Sequence, residues 1–236
     1  MGARTHIVGE QTVNKAIVLL SGGQDSTTCL YWARARWSEL HAVSIRYGQR
    51  HAVELDAARK VGELAGVASH LVLDLPALGQ LADSALTGAG DVDSEGPHTD
   101  RGVRLPATFV PGRNALMLTL AAARAVQVGA HDVVCGVCET DFSGYPDCRG
   151  DFLHALAPAL ELAMPESARP LRLHAPLLAL TKADEVRLAR ELPGCWDALA
   201  HTVTCYRGER PGCGACPACR LRARGFAEAG YTDPAA

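Results

Sequence analysis

The stretch LSGGQDSTTCLYWA, Leu20 to Ala33, directly follows the apolar run 16–20, and it decides the fold. A buried strand that ends in glycines, a carboxylate and several hydroxyls is typical of an anion-binding turn before a helix. Gly22 and Gly23 can adopt positive φ, so that successive backbone N–H groups can point at one anion. Hydroxyls at 26–28 add further donors. The stretch therefore predicts a phosphate-binding loop.

The same loop has a simpler interpretation, which is an ordinary helix start. Asp25 or Ser26 would then be the N-cap residue after a turn. The loop has neither the G-x-x-x-x-G-K-[ST] pattern nor the G-x-G-x-x-G pattern, so it differs from the common phosphate-binding loops. Five of the six residues 21–26 are small or hydroxyl-bearing or carry a carboxylate, and this density favours phosphate binding.

The chain alternates apolar, β-branched runs with patterns of helical period, and this alternation predicts an α/β fold. We expect an open parallel sheet of about five strands with helices on both faces. The phosphate-binding loop would then lie at the carboxyl ends of the strands, where ligands bind in such sheets. The predicted strands are 16–20, 41–45, 70–75, 133–137 and 171–177, and the predicted helices are 25–37, 53–64, 113–128, 147–162 and 181–192.

Composition limits the class of protein further. The chain has 236 residues, 48% of them apolar, and a net charge of −3, so it has no general basic field for nucleic acid. The early apolar run 16–20 is too short for a membrane span, and we expect a cytoplasmic protein. Residues 76–106 are polar and rich in glycine. They predict a solvated excursion, with a mobile lid as the alternative.

Four of the nine cysteines lie within residues 205–219, in the order C-x7-C-x2-C-x2-C. Four thiolates suit a tetrahedral, structural Zn²⁺ ion, and the glycines between them allow the chain to wrap around one centre. An iron–sulfur cluster is the alternative, since C-x2-C-x2-C also occurs in ferredoxins. We favour one zinc ion per chain because no second cluster motif follows. The ligands would be Cys205, Cys213, Cys216 and Cys219.

Lys182 stands in the first turn of a predicted helix that Thr181 would cap. An ammonium group opposes the positive end of the helix dipole, so its position calls for an explanation. Its charge would neutralise bound phosphates, or it is a solvated surface lysine. The sequence leaves both interpretations open.

Two further loops should face the same crevice. Pro111 and Gly112 precede a predicted helix and place Arg113 and Asn114 near unpaired N–H groups that could receive a phosphate or a carboxylate. Residues 139–149 follow the predicted strand 133–137. A turn with a helix N-cap would explain residues 145–149 taken singly, and a dipole-neutral surface charge would explain Arg113.

The loop of residues 21–26 resembles the S-G-G-x-D-S loop of the ATP pyrophosphatase (PP-loop) superfamily, whose fold is adenine nucleotide alpha hydrolase-like. Together with FVPGRNALM (109–117), GVCETDFSGYPDCR (136–149), TVTCYRG (202–208) and the cysteines, it resembles the 7-cyano-7-deazaguanine synthase family of queuosine biosynthesis. The resemblance runs from residue 15 to about residue 226. It implies an N-terminal extension (1–14), an ATP-binding domain (15–194) and a zinc-binding C-terminal region (195–236).

The resemblance implies a ligase that converts 7-carboxy-7-deazaguanine and ammonia into the nitrile with ATP, working as a homodimer and without direct contact to nucleic acid. Asp25, Ser26, Lys182 and Arg113 would be catalytic, and Asp25 would contact Mg²⁺. Asp141, Tyr145 and Asp147 would bind the substrate. The residues expected to bind ATP are Leu20, Ser21, Gly22, Gly23, Gln24, Asp25, Ser26, Thr27, Thr28, Cys29 and Leu30.

Two other functions stay open at this point. The first is a tRNA-modifying, thiolating member of the same superfamily, which a basic patch around the cysteines would serve. The second is a zinc-stapled nucleotide-binding protein without catalysis, which needs only the loop and the cysteines. The patch consists of Arg207, Arg210, Arg220, Arg222 and Arg224.

Overall fold

A computed structural model describes residues 14–48, 53–80, 84–88, 90–140 and 144–236. Its strands are β1 (Lys15–Leu19), β2 (Glu39–Arg46), β3 (Ser69–Asp74), β4 (Glu95–Asp100), β5 (Val103–Pro106), β6 (Asp132–Val134) and β7 (Arg172–His174). Its α-helices are α1 (Gln24–Arg34), α2 (Val53–Ala65), α3 (Pro76–Gln80), α4 (Arg113–Val128), α5 (Gly150–Ala163), α6 (Lys182–Glu191), α7 (Cys195–Leu199) and α8 (Pro217–Ala229).

The central sheet has the strand order β3-β2-β1-β6-β7, and every pairing in it is parallel. The prediction of an open parallel sheet of five strands is confirmed, as are the five predicted helices. The last two strands are shorter than predicted because the chain leaves the sheet after Val134 and His174. Strand β1 lies in the middle, so its carboxyl end carries the loop to the centre of the sheet edge.

Alternate residues of β1 pack into two separate apolar cores. Ala16 and Val18 belong to a core that includes side chains of α1 and α6. Ile17 belongs to a second core, with side chains of α4 and α5. Because neighbouring residues of a strand point to opposite faces, helices cover both faces of the sheet as predicted.

The described residues within 76–106 have more secondary structure than the sequence indicated. They contain α3 and the antiparallel hairpin β4–β5. Ala85 and Val92 are buried in one cluster with Cys205 and Cys216. Most described residues of this segment are exposed, as expected for a solvated excursion, and a few apolar side chains fix it on the cysteine-bearing part of the chain. A lid function stays a prediction.

The C-terminal residues pack into the first of the two cores. Cys195 and Leu199 of α7 and Phe226 of α8 share that core with Leu30 of α1. The division of the chain at residue 194 stays a prediction. Within the described ranges, every helix is too short or too polar to span a bilayer.

At position 22 the fold requires glycine, because a residue with a side chain would not fit. Its φ is +86°, and a Cβ atom there would lie 2.3 Å from the Glu54 carbonyl oxygen and 2.6 Å from the Ala58 nitrogen. Loop and α2 therefore meet backbone to backbone. Gly66 has a similar φ of +71° but has open space around it.

We expect Gly66→Ala to lower the free energy of unfolding by about 1–2 kcal/mol, which is the cost of the left-handed conformation. Gly22→Ala should lower the free energy of unfolding by about 1–3 kcal/mol more than Gly66→Ala does, because the added methyl group overpacks the contact with α2. Urea denaturation of both variants measures the difference. Equal losses would contradict the close backbone approach.

Candidate nucleotide and substrate site

The loop after β1 is organised by its own hydroxyl groups. Helix α1 begins at Gln24, and Gly23 is its N-cap with no side-chain cap. The interpretation of Asp25 or Ser26 as N-cap is therefore wrong. Ser26 Oγ accepts a hydrogen bond from the Ser21 N–H (3.1 Å) and donates one to the Gly23 carbonyl (3.2 Å). Of the two glycines, only Gly22 has a positive φ, since Gly23 has a φ of −83°.

A cavity of about 890 Å³ opens at the carboxyl edge of the sheet, above this loop. It is lined by residues of the loop and of the three further stretches 109–117, 136–149 and 202–208 on which the family resemblance rests. The structure brings together all four predicted catalytic residues and one predicted substrate residue: Asp25, Ser26, Arg113, Lys182 and Tyr145.

The predicted ATP-binding residues divide into three groups. Leu20, Ser21, Gly23 and Gln24 line the cavity together with Asp25 and Ser26. Gly22 faces α2 instead. The remaining four belong to the interior of the protein, where they support the loop from α1: Thr27, Thr28, Cys29 and Leu30.

Lys182 is not a solvated surface residue. Its side chain is 6% exposed, and Nζ donates to Asp25 Oδ1 at 2.9 Å and to Glu185 Oε2 at 2.8 Å. Thr181 caps α6 as predicted, since its hydroxyl accepts from the Asp184 N–H at 3.2 Å. The ammonium group therefore lies directly beside the loop carboxylate, and the surface interpretation is wrong.

Aromatic and cationic groups form one wall of the cavity. The Arg113 guanidinium lies 5.8 Å from the centre of the Tyr145 ring. The rings of Phe109 and Tyr145 have centres 5.6 Å apart, and the Tyr145 hydroxyl is hydrogen-bonded to Thr108 at 2.5 Å. This wall offers a flat ring for stacking and a positive charge for an anion.

The other two predicted substrate residues are not part of this wall. Asp147 does not line the cavity, and its carboxylate accepts a hydrogen bond from the Asn114 N–H at 2.9 Å. It therefore occupies the helix N-terminus that the sequence suggested for a phosphate or a carboxylate. Asp141 lies outside the described residues.

Sequence reasoning missed several groups that line the cavity. Tyr47 follows the carboxyl end of β2, a position that the topology rule could have indicated. Tyr206 lies between two cysteines of the metal-binding pattern, and this pattern does not indicate that the residue lines a cavity. Glu54 opens α2, and burial raises the pKa of its carboxyl from 4.5 to about 7, although the charge of Arg113 opposes the rise.

The four cysteines of the C-terminal motif converge on one point. Their Sγ atoms all lie within 4.8 Å of one another, and those of Cys213 and Cys219 are 3.9 Å apart. A tetrahedral centre with metal–sulfur bonds of about 2.3 Å needs sulfur atoms about 3.8 Å apart. The Cys216 N–H donates to Cys213 Sγ at 3.2 Å, a contact that stabilises a thiolate. The set fits a metal ion.

Fold and site together define an α/β protein with a PP-loop-like fold. A structure similar in fold is "a 4-thiouridine synthetase - RNA complex with bound ATP", with a TM-score of 0.50 and 16% identity, covering 91% of this chain and 53% of that chain. At this identity the likeness shows the fold alone.

The sequence comparisons are more specific. The family profile described as "Queuosine biosynthesis protein QueC" matches residues 15–230, and the chain belongs to this family. Proteins named 7-cyano-7-deazaguanine synthase are 53% identical in Laribacter hongkongensis, covering 93% of both chains, and 52% identical in Chromobacterium violaceum, covering 93% of this chain and 92% of that one. The Bacillus subtilis protein of that name is 46% identical, with coverage of 91% and 94%.

Glu54 should make stability depend on pH. In the folded protein its carboxyl keeps a proton between about pH 5 and 7, where the unfolded chain has lost it, so the folded state becomes less stable as the pH rises. Glu54→Gln cannot ionise, and its free energy of unfolding should fall less over this range. Urea denaturation at several pH values measures this. Glu63→Gln, an exposed position on the same helix, should behave as wild type; identical pH profiles for all three proteins would exclude a raised pKa.

Proposed function

We propose that this protein is a 7-cyano-7-deazaguanine synthase, which uses ATP to convert 7-carboxy-7-deazaguanine and ammonia into the nitrile in queuosine biosynthesis. The observation that carries the proposal is one cavity that contains the S-G-G-x-D-S loop together with Arg113, Tyr145 and Tyr206. These residues come from the stretches on which the resemblance rests. Relatives of that name, 46–53% identical, support the same activity.

The first half of the reaction activates the carboxylate. Its negative charge resists attack by ammonia, so a substrate oxygen first attacks the α-phosphorus of ATP, and diphosphate leaves. Ammonia then attacks the acyl carbon and loses a proton, the bond to AMP breaks, and the primary amide remains. The loop hydroxyls and backbone N–H groups bind the departing diphosphate.

The second half removes the amide oxygen. The amide oxygen attacks the α-phosphorus of a second ATP, and diphosphate leaves again. The nitrogen then loses two protons while the carbon–oxygen bond breaks, so that AMP departs with the oxygen and the nitrile forms. This scheme needs no side-chain nucleophile, because the chain only has to align the reactants and stabilise charge.

The proposed roles follow from the positions of the side chains. Ser26 fixes the loop through its hydrogen bonds, and Asp25 and Lys182 hold charge next to the phosphates. Arg113 lies beside Tyr145, so it is placed to receive the substrate carboxylate while the ring stacks on the deazaguanine. Asp141 stays a predicted substrate contact.

Two metal ions belong to this proposal. The four clustered cysteines would hold a structural zinc ion, since four sulfur ligands favour zinc and leave no open coordination position. Asp25 would contact the Mg²⁺ that accompanies ATP, which neutralises phosphate charge when bound. The homodimer and the cytoplasmic location stay predictions.

The structure gives less support to a tRNA-binding patch than the sequence did. Arg222 is buried, and its guanidinium makes two hydrogen bonds to Asp233. Arg207 and Arg220 both pair with Asp93, at 2.9 Å and 3.1 Å. Arg224 lies 3.8 Å from Glu228, so four of the five arginines have carboxylate partners within the protein.

Purified protein incubated with ATP, Mg²⁺, ammonia and 7-carboxy-7-deazaguanine should yield the nitrile, detected by mass, together with AMP. Asp25→Asn should lower kcat about 10²-fold, because it removes the carboxylate that would contact the Mg²⁺ accompanying ATP. Asp56→Asn, an exposed aspartate of α2 paired with Arg59, should leave kcat unchanged. Nucleotide binding without any nitrile would favour the non-catalytic alternative, and salt-sensitive tRNA binding would favour the thiolating one.

Metal analysis tests the cysteine cluster. Wild-type protein should contain about one zinc ion per chain and show no visible absorption. Cys216→Ala should lose the metal, because it removes a buried ligand, whereas Cys195→Ala changes a buried cysteine outside the cluster and should retain it. Iron with visible absorption would contradict the zinc assignment.

A further inference from the structure

Gln24 has a buried side chain that the fold does not use. It is the first residue of α1, it is 1% exposed, and it lines the cavity. Its Oε1 and Nε2 atoms have no hydrogen-bond partner among the described residues. Buried amide groups almost always have partners, so this carboxamide calls for a ligand.

The backbone of Gln24 accounts for its structural role without the side chain. Its N–H donates to Thr204 Oγ1 at 3.4 Å, and its carbonyl accepts from Thr28 Oγ1 at 3.1 Å. An apolar side chain of the same length would fill the same space and avoid the cost of two unpaired polar atoms. A ligand in the cavity therefore explains why this position carries a carboxamide.

We propose that the Gln24 carboxamide binds the primary amide of the 7-deazaguanine intermediate and retains it between the two activations. Nε2 would donate to the amide oxygen, and Oε1 would accept from the amide nitrogen. This inference rests on the proposed function and adds to it the group that recognises the intermediate.

The position of Gln24 favours the reacting group as its partner. The atom that attacks ATP must approach the α-phosphorus to about 3–3.5 Å, so the substrate amide lies next to the phosphate loop. Gln24 is part of that loop, immediately before Asp25. The adenine edge also offers a donor beside an acceptor, but with the diphosphate in the loop the ribose separates adenine from this position.

The chemistry of the reaction favours the amide over the starting acid. A carboxylate has only acceptors, so it can satisfy Nε2 but leaves Oε1 facing another oxygen. A primary amide satisfies both atoms at once. Gln24 therefore distinguishes the intermediate from the substrate, and it holds the amide until the second ATP arrives.

The test uses Gln24→Met, which keeps the length of the side chain and removes its hydrogen bonds, and Gln24→Glu, which replaces the donor with an acceptor. Thermal unfolding without ligand, calorimetric ATP binding, and the two half-reactions are measured separately. Gln24→Met should melt at or above the wild-type temperature, and its ATP affinity should be unchanged. In both variants KM for added amide should rise about tenfold, and free amide should accumulate from the carboxylate.

Thr27→Val calibrates the melting temperature, because it removes a second buried polar group of α1, a hydroxyl that has no partner among the described residues and does not line the cavity. A lower melting temperature for Gln24→Met than for Thr27→Val would show a structural role and overturn the inference. Weaker ATP binding would assign Gln24 to the nucleotide and overturn it as well. If wild type makes no nitrile, the proposed function fails; if both variants make nitrile without free amide, only this inference fails.

Discussion

The site depends on one buried cation, the ammonium of Lys182, held between Asp25 and Glu185. A charge removed from water must be paired, and loss of one partner in such a pair costs about 3–5 kcal/mol. The space for this side chain exists because residue 225 is a glycine: a Cβ there would lie 2.4 Å from Lys182 Cγ. Loop, α6 and α8 are thus fixed relative to one another through one side chain.

This arrangement makes the C-terminal residues part of the site. The Val203 N–H donates to the Gly22 carbonyl at 2.9 Å, so the segment before the cysteines is attached directly to the loop. Tyr206, immediately after the first cysteine of the cluster, lines the cavity. Asp93, which lies just before β4, pairs with Arg207 and Arg220 and so links its part of the chain to both sides of Cys213 and Cys216. A metal ion in the cysteine cluster would therefore stabilise a wall of the cavity as well as the end of the chain.

The sequence predicted what depends on local pattern. Apolar runs and helical periods indicated the five central strands and five helices, and small residues at 21–26 indicated the loop. The sequence did not predict the hairpin β4–β5, because EGPHTD contains glycine, proline and aspartate, which strands disfavour. The stability of this hairpin comes from contacts with other parts of the chain. The sequence did not predict the burial of Lys182, because its partner Asp25 is 157 residues away in the chain.

Glu54 and Arg113 show how the same cavity can receive an anion. An ionised Glu54 would pair with the guanidinium and cancel its charge. Burial instead raises the pKa of this carboxyl to about 7, so that it is largely protonated in slightly acidic solution. The positive charge then remains available to the substrate carboxylate that we propose Arg113 receives. Affinity for an anionic substrate should therefore weaken as Glu54 ionises, because the acid and the ligand compete for one arginine.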